Sequence, residues 1–460
     1  MPHADSRFNR ERRARWGAER FKRAAVNDAP WRTEPRMSAA EPIASTCDGA
    51  DRGAVRFLSE PGPFWRLLIR GTGLVLVTLG VYRFWLVTDI RRFLWGHTEI
   101  AGDVIEYLGT ARELLFGFLM AITVMAPIDA AFVLAAVDFG GLGRACGFAG
   151  LLMLLGLGQF AVYRARRYRL TRTLFRGLKF HQTGSSWRYA AGAVAWWTVI
   201  VVTLGLAYPW ARASLERYKM RHTFYGDLQG RFDGSGTRLF IRGSPLWLLI
   251  VAPTLGSLTV TVHSVDWAGI AEAVNHGDGD VMGGIEGAYP EFAAAILYIV
   301  LAATWPVVAV GILYPAFQAM VLRWWLSGLR FGAIAATSRL RAGSLYSIYT
   351  RFVGQVLVLA FVIGILAAAL LLSIRVASQA LGLGETTETL ATAAAFALYV
   401  VAALGYSTLY QVGVKLRLWR LGLESVELVG LGALNAVKAA EQTSSALGEG
   451  LAEALHVGGY

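Results

Sequence analysis

The feature that most constrains this chain is a series of apolar runs, each of about 20 residues, the length that crosses a ~30 Å hydrocarbon layer as a helix. They lie at approximately 65–87, 114–137, 145–163, 189–210, 245–263, 292–318, 352–375 and 390–413. Trp and Tyr gather at their ends, where amphipathic rings favour the headgroup level. A mean hydropathy of +0.46 with 55% hydrophobic residues is too apolar for a soluble globule of 460 residues. The pattern predicts an all-α polytopic membrane protein with six to eight membrane helices.

The loops sort by charge. Segment 164–188 carries eight Lys or Arg and no acid, 211–244 carries seven basic residues, and 319–351 carries five and no acid. Segment 264–291 has six acids without Lys or Arg, and 376–389 has two acids without either. The positive-inside rule places the basic loops and the N-terminus in the cytoplasm and the acidic loops outside. The same distribution explains the net charge of +12 as a membrane topology signal, not a nucleic-acid footprint. Simple alternation fails for 189–210, which has a basic loop on both sides. Its counterpart 65–87 follows a basic leader and precedes Arg91 and Arg92. Both are expected to dip into the membrane, or lie in its interface, without crossing, while the other six segments span.

These two segments also share a motif. Thr78, Leu79, Gly80, Trp85, Arg92, His97 and Thr98 recur 125 residues later as Thr203, Leu204, Gly205, Trp210, Arg217, His222 and Thr223, while Tyr82 matches Tyr208 with a slip of one. We read the element as a membrane-surface corner, with Trp85 and Trp210 at the headgroups and Arg92 and Arg217 facing cytoplasmic lipid. Further matches are Ala126-Pro127 with Ala252-Pro253, and Gly177-Leu178-Lys179-Phe180 with Gly328-Leu329-Arg330-Phe331. A degenerate third copy is read at Leu404-Gly405, Tyr410 and Arg417. All run in one direction, which implies parallel repeats and not an inverted-repeat transporter. Thr and aromatic residues flanking Gly in the basic loops predict small β-hairpins on the cytoplasmic face. The expected organisation is a disordered tail (1–55), repeats at 56–178 and 179–329, a degenerate repeat at 330–424 and an amphipathic C-terminal tail (425–460).

The Thr-Leu-Gly…Trp…Arg element, the Gly-Leu-(Lys/Arg)-Phe loops and the closing Gly448-Glu449-Gly450-Leu451-Ala452-Glu453 resemble the YjgN-like bacterial inner-membrane proteins. The resemblance implies a multi-pass inner-membrane location from about residue 55 onward, and brings no reaction or catalytic residues.

Few side chains invite chemistry. Asp129 follows Pro127 inside an apolar run, and an intramembrane acid is a candidate for an ion or substrate pathway. The plainer readings are a kink that admits water, or a pair with Arg70. Arg70 is itself either a binding charge or a side chain that snorkels to the interface. Pro127 and Pro253 are expected to kink their helices. His97 and His222 lack further ligands at metal-binding spacing. No catalytic constellation is visible, so we expect no enzyme activity, no metal and no cofactor. The expected partners are anionic membrane lipids, with self-association or another membrane protein left open. Two functions fit: movement of a small solute or lipid through a cleft between repeats, or a non-transporting scaffold for envelope assembly.

Overall fold

The structure, a computed structural model, describes residues 52–138, 140–276, 291–382 and 384–437. It begins with β1 (Arg52–Phe57), then α1 (Pro61–Val77) and α2 (Arg83–Gly96), followed by β2 (Thr98–Ile100), β3 (Asp103–Val104) and β4 (Glu106–Tyr107). Two long helices, α3 (Ala111–Asp138) and α4 (Gly140–Thr171), lead to β5 (Thr173–Phe175) and β6 (Leu178–Gln182). Next come α5 (Ser186–Val202), α6 (Tyr208–Arg221), β7 (Thr223–Tyr225) and β8 (Leu228–Phe232). Helices α7 (Gly236–Ser264), α8 (Trp267–His276) and α9 (Glu291–Gly328) precede β9 (Leu329–Phe331) and β10 (Ile334–Ser338). The chain ends with α10 (Ala342–Leu381), α11 (Gly384–Tyr410), a π-helical turn over Gln411–Leu416, α12 (Arg417–Glu424) and β11 (Val426–Val429). Six helical stretches are long and apolar enough to cross a membrane: Ala111–Ala135, Ala145–Thr171, Gly236–Ser264, Ala294–Gly328, Ala342–Leu381 and Thr386–Glu424. This is a membrane protein.

The strands are not separate hairpins, as expected, but one antiparallel ladder in the order β3-β2-β1-β11-β10-β9-β8-β7-β6-β5-β4. Its two ends, β3 and β4, are separated by Ile105 alone, so the segment 103–107 pairs with β2 through its first half and with β5 through its second. The ladder therefore runs round to within one residue of itself. The first and last strands complete it, with Arg52 opposite Val429 and Ala54 opposite Glu427. Part of the expected N-terminal and C-terminal tails is thus structural, and the remainder, 1–51 and 438–460, lies outside the described residues.

Aromatic side chains show which face points inward. Phe180 on β6 and Phe331 on β9 have ring centroids 6.3 Å apart. Strands three places apart are separated by roughly 14 Å along a sheet at ~4.8 Å per strand, so these rings meet across the inside of the curve. Tyr225 joins them, 4.7 Å from Phe180, and its hydroxyl donates to the Phe175 carbonyl at 3.0 Å. The outward positions carry Lys179, Gln229 and Arg231, all exposed.

The helices form a matching circuit. Each of α1 to α7 and α9 to α11 packs chiefly on its chain neighbours, and α11 returns to α1. Thr72 and Thr408 share a hydrogen bond of 3.1 Å at that junction. Helices α3 and α4 pair with each other; α7, α9, α10 and α11 form a second spanning group. Among the described residues these two groups make no substantial contact, because the short pairs α1–α2 and α5–α6 stand between them.

Candidate functional site

The two short helical pairs owe their form to Thr-Leu-Gly. Thr78 Oγ1 donates to the Leu74 carbonyl at 2.7 Å and accepts from the Tyr82 amide at 3.0 Å, which ties the end of α1 to the start of α2. Thr203 does the same with Val199 (2.7 Å) and the Ala207 amide (3.1 Å). Between these anchors Leu79 and Gly80 take φ of 50° and 95°, and Leu204 and Gly205 take 49° and 88°. Glycine is free there, whereas leucine is strained by ~1–2 kcal/mol. The strained leucines are also uncovered: Leu79 is 94% exposed and Leu204 65%, with Val77 and Val202 beside them. An apolar tip on a reversed helical pair fits hydrocarbon better than water. Trp247 on α7 donates to the Leu204 carbonyl at 2.9 Å and fixes the second turn.

The rest of the motif works at the strand ring. Arg92, Arg167 and Arg217 each donate to the carbonyl of a glycine 17 residues later: Gly109 (3.1 Å), Gly184 (2.7 Å) and Gly234 (3.3 Å). Each closes the loop from a strand into the next helix. Arg92 and Arg217 are thus occupied with backbone, where lipid contact had been expected. Thr98, Thr173 and Thr223 donate to carbonyls four residues earlier, each at 2.8 Å, and end the preceding helix where the strand begins. His97 and His222 bond the carbonyls of Phe93 and Tyr218 through Nδ1, as helix-end groups. Trp85 stacks on Tyr82 and Trp210 packs on Phe240.

A charged cluster that sequence reading missed holds α4, α6 and α9 together. Glu216 is 2% exposed, bonds Lys219 Nζ at 2.5 Å and accepts from Trp325 Nε1 at 3.2 Å. Arg166, on the neighbouring α4, donates to the Met220 sulfur at 3.3 Å. Burial pushes the Glu216 carboxyl up, but Lys219, Arg166 and Arg212 outweigh it and hold the group below its ordinary value. Burial pushes Lys219 down to about 8.

The other expected site residues do not converge. Asp129 is half-buried on α3 and makes no ion pair among the described residues. Arg70 is exposed on α1 and acts electrostatically on Asp89 of α2, not on Asp129. Asp89 is pushed up by burial, against the pull of Arg92 and Arg70. Pro127 and Pro253 lie inside continuous helices. Pro253 has a further role. It cannot donate to the Leu249 carbonyl four residues earlier, and Trp305 Nε1 on α9 takes that acceptor at 3.0 Å. Leu404-Gly405 forms no turn, because it sits within α11. The ring supplies a different register: Arg420 stands six residues before Val426, as Arg92 and Arg217 stand before Thr98 and Thr223, but it pairs with Glu424 and not with a glycine carbonyl.

Among the described residues the α3–α4 pair is joined to the four-helix group through the short pairs, whose turns carry exposed apolar tips. Aromatic rings occupy the inside of the strand ring. No curated protein and no solved structure matches the chain. A family model does match, over residues 52–454, and the chain belongs to that YjgN-like family, described as "Bacterial protein of unknown function (DUF898)".

Proposed function

We propose that this protein moves an amphipathic or apolar small molecule, with membrane lipid as the leading class, through the cleft between its two groups of spanning helices. The separation of those groups, with only the short pairs between them, carries the reading. Such gaps open toward lipid at the depth where α1–α2 and α5–α6 turn back. The aromatic filling of the strand ring disfavours a continuous aqueous pore. Charged side chains gather toward the ends of the long helices, and Asp129 is an acid well inside one, a distribution that argues against ion coupling. The protein is then a carrier or lipid-handling protein and not an enzyme.

The finer topology follows the charges. All three strongly basic loops contribute strands to the ring, and the described acids Asp266, Glu272, Glu291 and Glu388 of the two acidic loops stand at the helix ends away from it. The positive-inside rule puts the ring and the N-terminus in the cytoplasm of the inner membrane, against anionic headgroups. The motifs at 78–98 and 203–223, with the arginine at the same place before β5, support an internal repeat of helical pair plus strand pair.

Reconstitution into vesicles with a fluorescent phospholipid in both leaflets, followed by one-sided chemical quenching, tests this. Full loss of signal with protein, and loss from the outer leaflet only in empty vesicles, supports lipid movement. Equal behaviour of the two samples removes it and leaves the scaffold reading.

A further inference from the structure

We infer that a groove on α10, open toward the π-helical turn, is a binding site for an anionic phospholipid of the ring-side leaflet. The inference rests on the chain lying in a membrane, and not on movement of anything through the cleft.

The groove has a volume of about 600 Å³ and is lined by Arg351, Gln355, Val358 and Val362 from α10, with Leu409 and Arg417 facing them. The four α10 residues fall at intervals of four, three and four, which is one face of a helix. Arg351 lies thirteen residues after β10 leaves the ring side with Ser338 and nine after Ala342 opens α10, so it stands near headgroup depth. From Arg351 to Val362 the helix advances about 16 Å at 1.5 Å per residue, close to one leaflet of a ~30 Å hydrocarbon layer. The polar end and the apolar run therefore match a headgroup and one acyl chain in order and in length.

The charges at the polar end are unspent. Arg351 and Arg417 form no ion pair among the described residues, and Arg417 Nη1 is buried without a hydrogen-bond partner. A buried guanidinium N–H without an acceptor is costly, and a phosphate diester supplies oxygens that suit the planar fork. The backbone is adapted to the same place. The π-helical turn runs from Gln411 to Leu416 and ends at Arg417. Such turns are rare and are frequent at functional sites. Within it, a side chain at Gly413 would meet Gln355 Oε1 at 3.0 Å and Phe352 at 3.3 Å, so glycine keeps the turn against α10.

The occupant is distinguished from free phosphate by its tail: nearly all of the lining beyond the two arginines is apolar. The test measures binding of phosphatidylglycerol and phosphatidylcholine to the full chain in non-ionic detergent by native mass spectrometry. Inorganic phosphate serves as competitor. Phosphatidylglycerol should bind at least tenfold more tightly than phosphatidylcholine. Arg351→Gln with Arg417→Gln should lose that preference by about tenfold or more, as expected for loss of charge-assisted contacts. Val358→Trp, which fills the groove and keeps both charges, should weaken phosphatidylglycerol to a similar extent. Millimolar phosphate should leave binding unchanged. Equal binding of the two lipids, or unchanged phosphatidylglycerol binding in both variants, overturns the site. Competition by phosphate alone overturns the acyl-chain part. Monodisperse elution of each variant separates these outcomes from misfolding. Failed lipid movement with intact selective binding rejects the proposed transport without touching the groove.

Discussion

Glu216→Leu should be the most damaging single change outside the apolar core. Glu216 is 2% exposed, and its partner Lys219 is 12% exposed at 2.5 Å. Removing one partner of a buried pair typically costs ~3–5 kcal/mol, because the other charge stays without compensation. Three cations lose their counter-charge here, Lys219, the nearby Arg166 and the exposed Arg212, and Trp325 Nε1 loses its acceptor. The small residual exposure of Lys219 lets water reach it, so we expect about 3 kcal/mol, near the lower end of that range. In detergent-solubilised protein the melting temperature should fall on the order of 5 °C. Adding Lys219→Met should recover about half of the loss, since Arg166 remains buried. A Glu216→Leu variant within ~1 kcal/mol of the parent would refute the reasoning. So would a Lys219→Met addition that recovers nothing.

The cluster also has a pH signature. Glu216 is held below its ordinary value, so its contribution is present at neutral pH and is lost as pH falls through the acid range. Lys219 sits near 8 against an ordinary 10.5, so between these values the unfolded chain binds more protons and stability rises with pH. Melting curves from pH 4 to 10 check both limbs, and the acid limb should shrink in Glu216→Leu. Gly205→Ala should cost ~1–2 kcal/mol through backbone alone, because φ there is 88°. Leu79→Gly should be neutral or stabilising by up to ~1 kcal/mol, for the converse reason. Trp305→Phe should cost ~1–3 kcal/mol by leaving the Leu249 carbonyl unpaired, and Pro253→Ala in the same chain should remove that cost by restoring the helical donor.

The membrane character and the six helices long and apolar enough to span are legible in the sequence, because length and hydropathy are local quantities. The Thr-Leu-Gly motif was visible as a pattern, but its chemistry was not. A threonine that bonds both backward and forward, beside a leucine at positive φ, has no signature beyond three letters. The hairpins were visible as Thr, Gly and aromatic residues. Their union into one ring was not, since it depends on pairing β1 with β11 across nearly the whole chain. That distance also hid the structural part of the C-terminal segment, so a truncation meant to spare the ring must begin beyond Val437. The third copy failed because Leu-Gly is common in apolar helices. The ring fixes the register at Val426 instead, and Arg420 then falls into line. Glu216, Lys219 and Arg166 looked like ordinary basic-loop residues, because burial comes from the packing of α4, α6 and α9.

The account stands or falls on α5–α6 turning back within the membrane, so that consecutive parts of the ring share one face. Lys179 on β6 and Arg231 on β8 are exposed on either side of that pair. Single cysteines at these positions, on a background without Cys47 and Cys146, can be labelled in intact cells and in inverted vesicles with an impermeant maleimide. Both should be protected in cells and both labelled in inverted vesicles. Labelling from opposite faces would show that segment 189–210 crosses, and would contradict the ring, the cleft and the topology together.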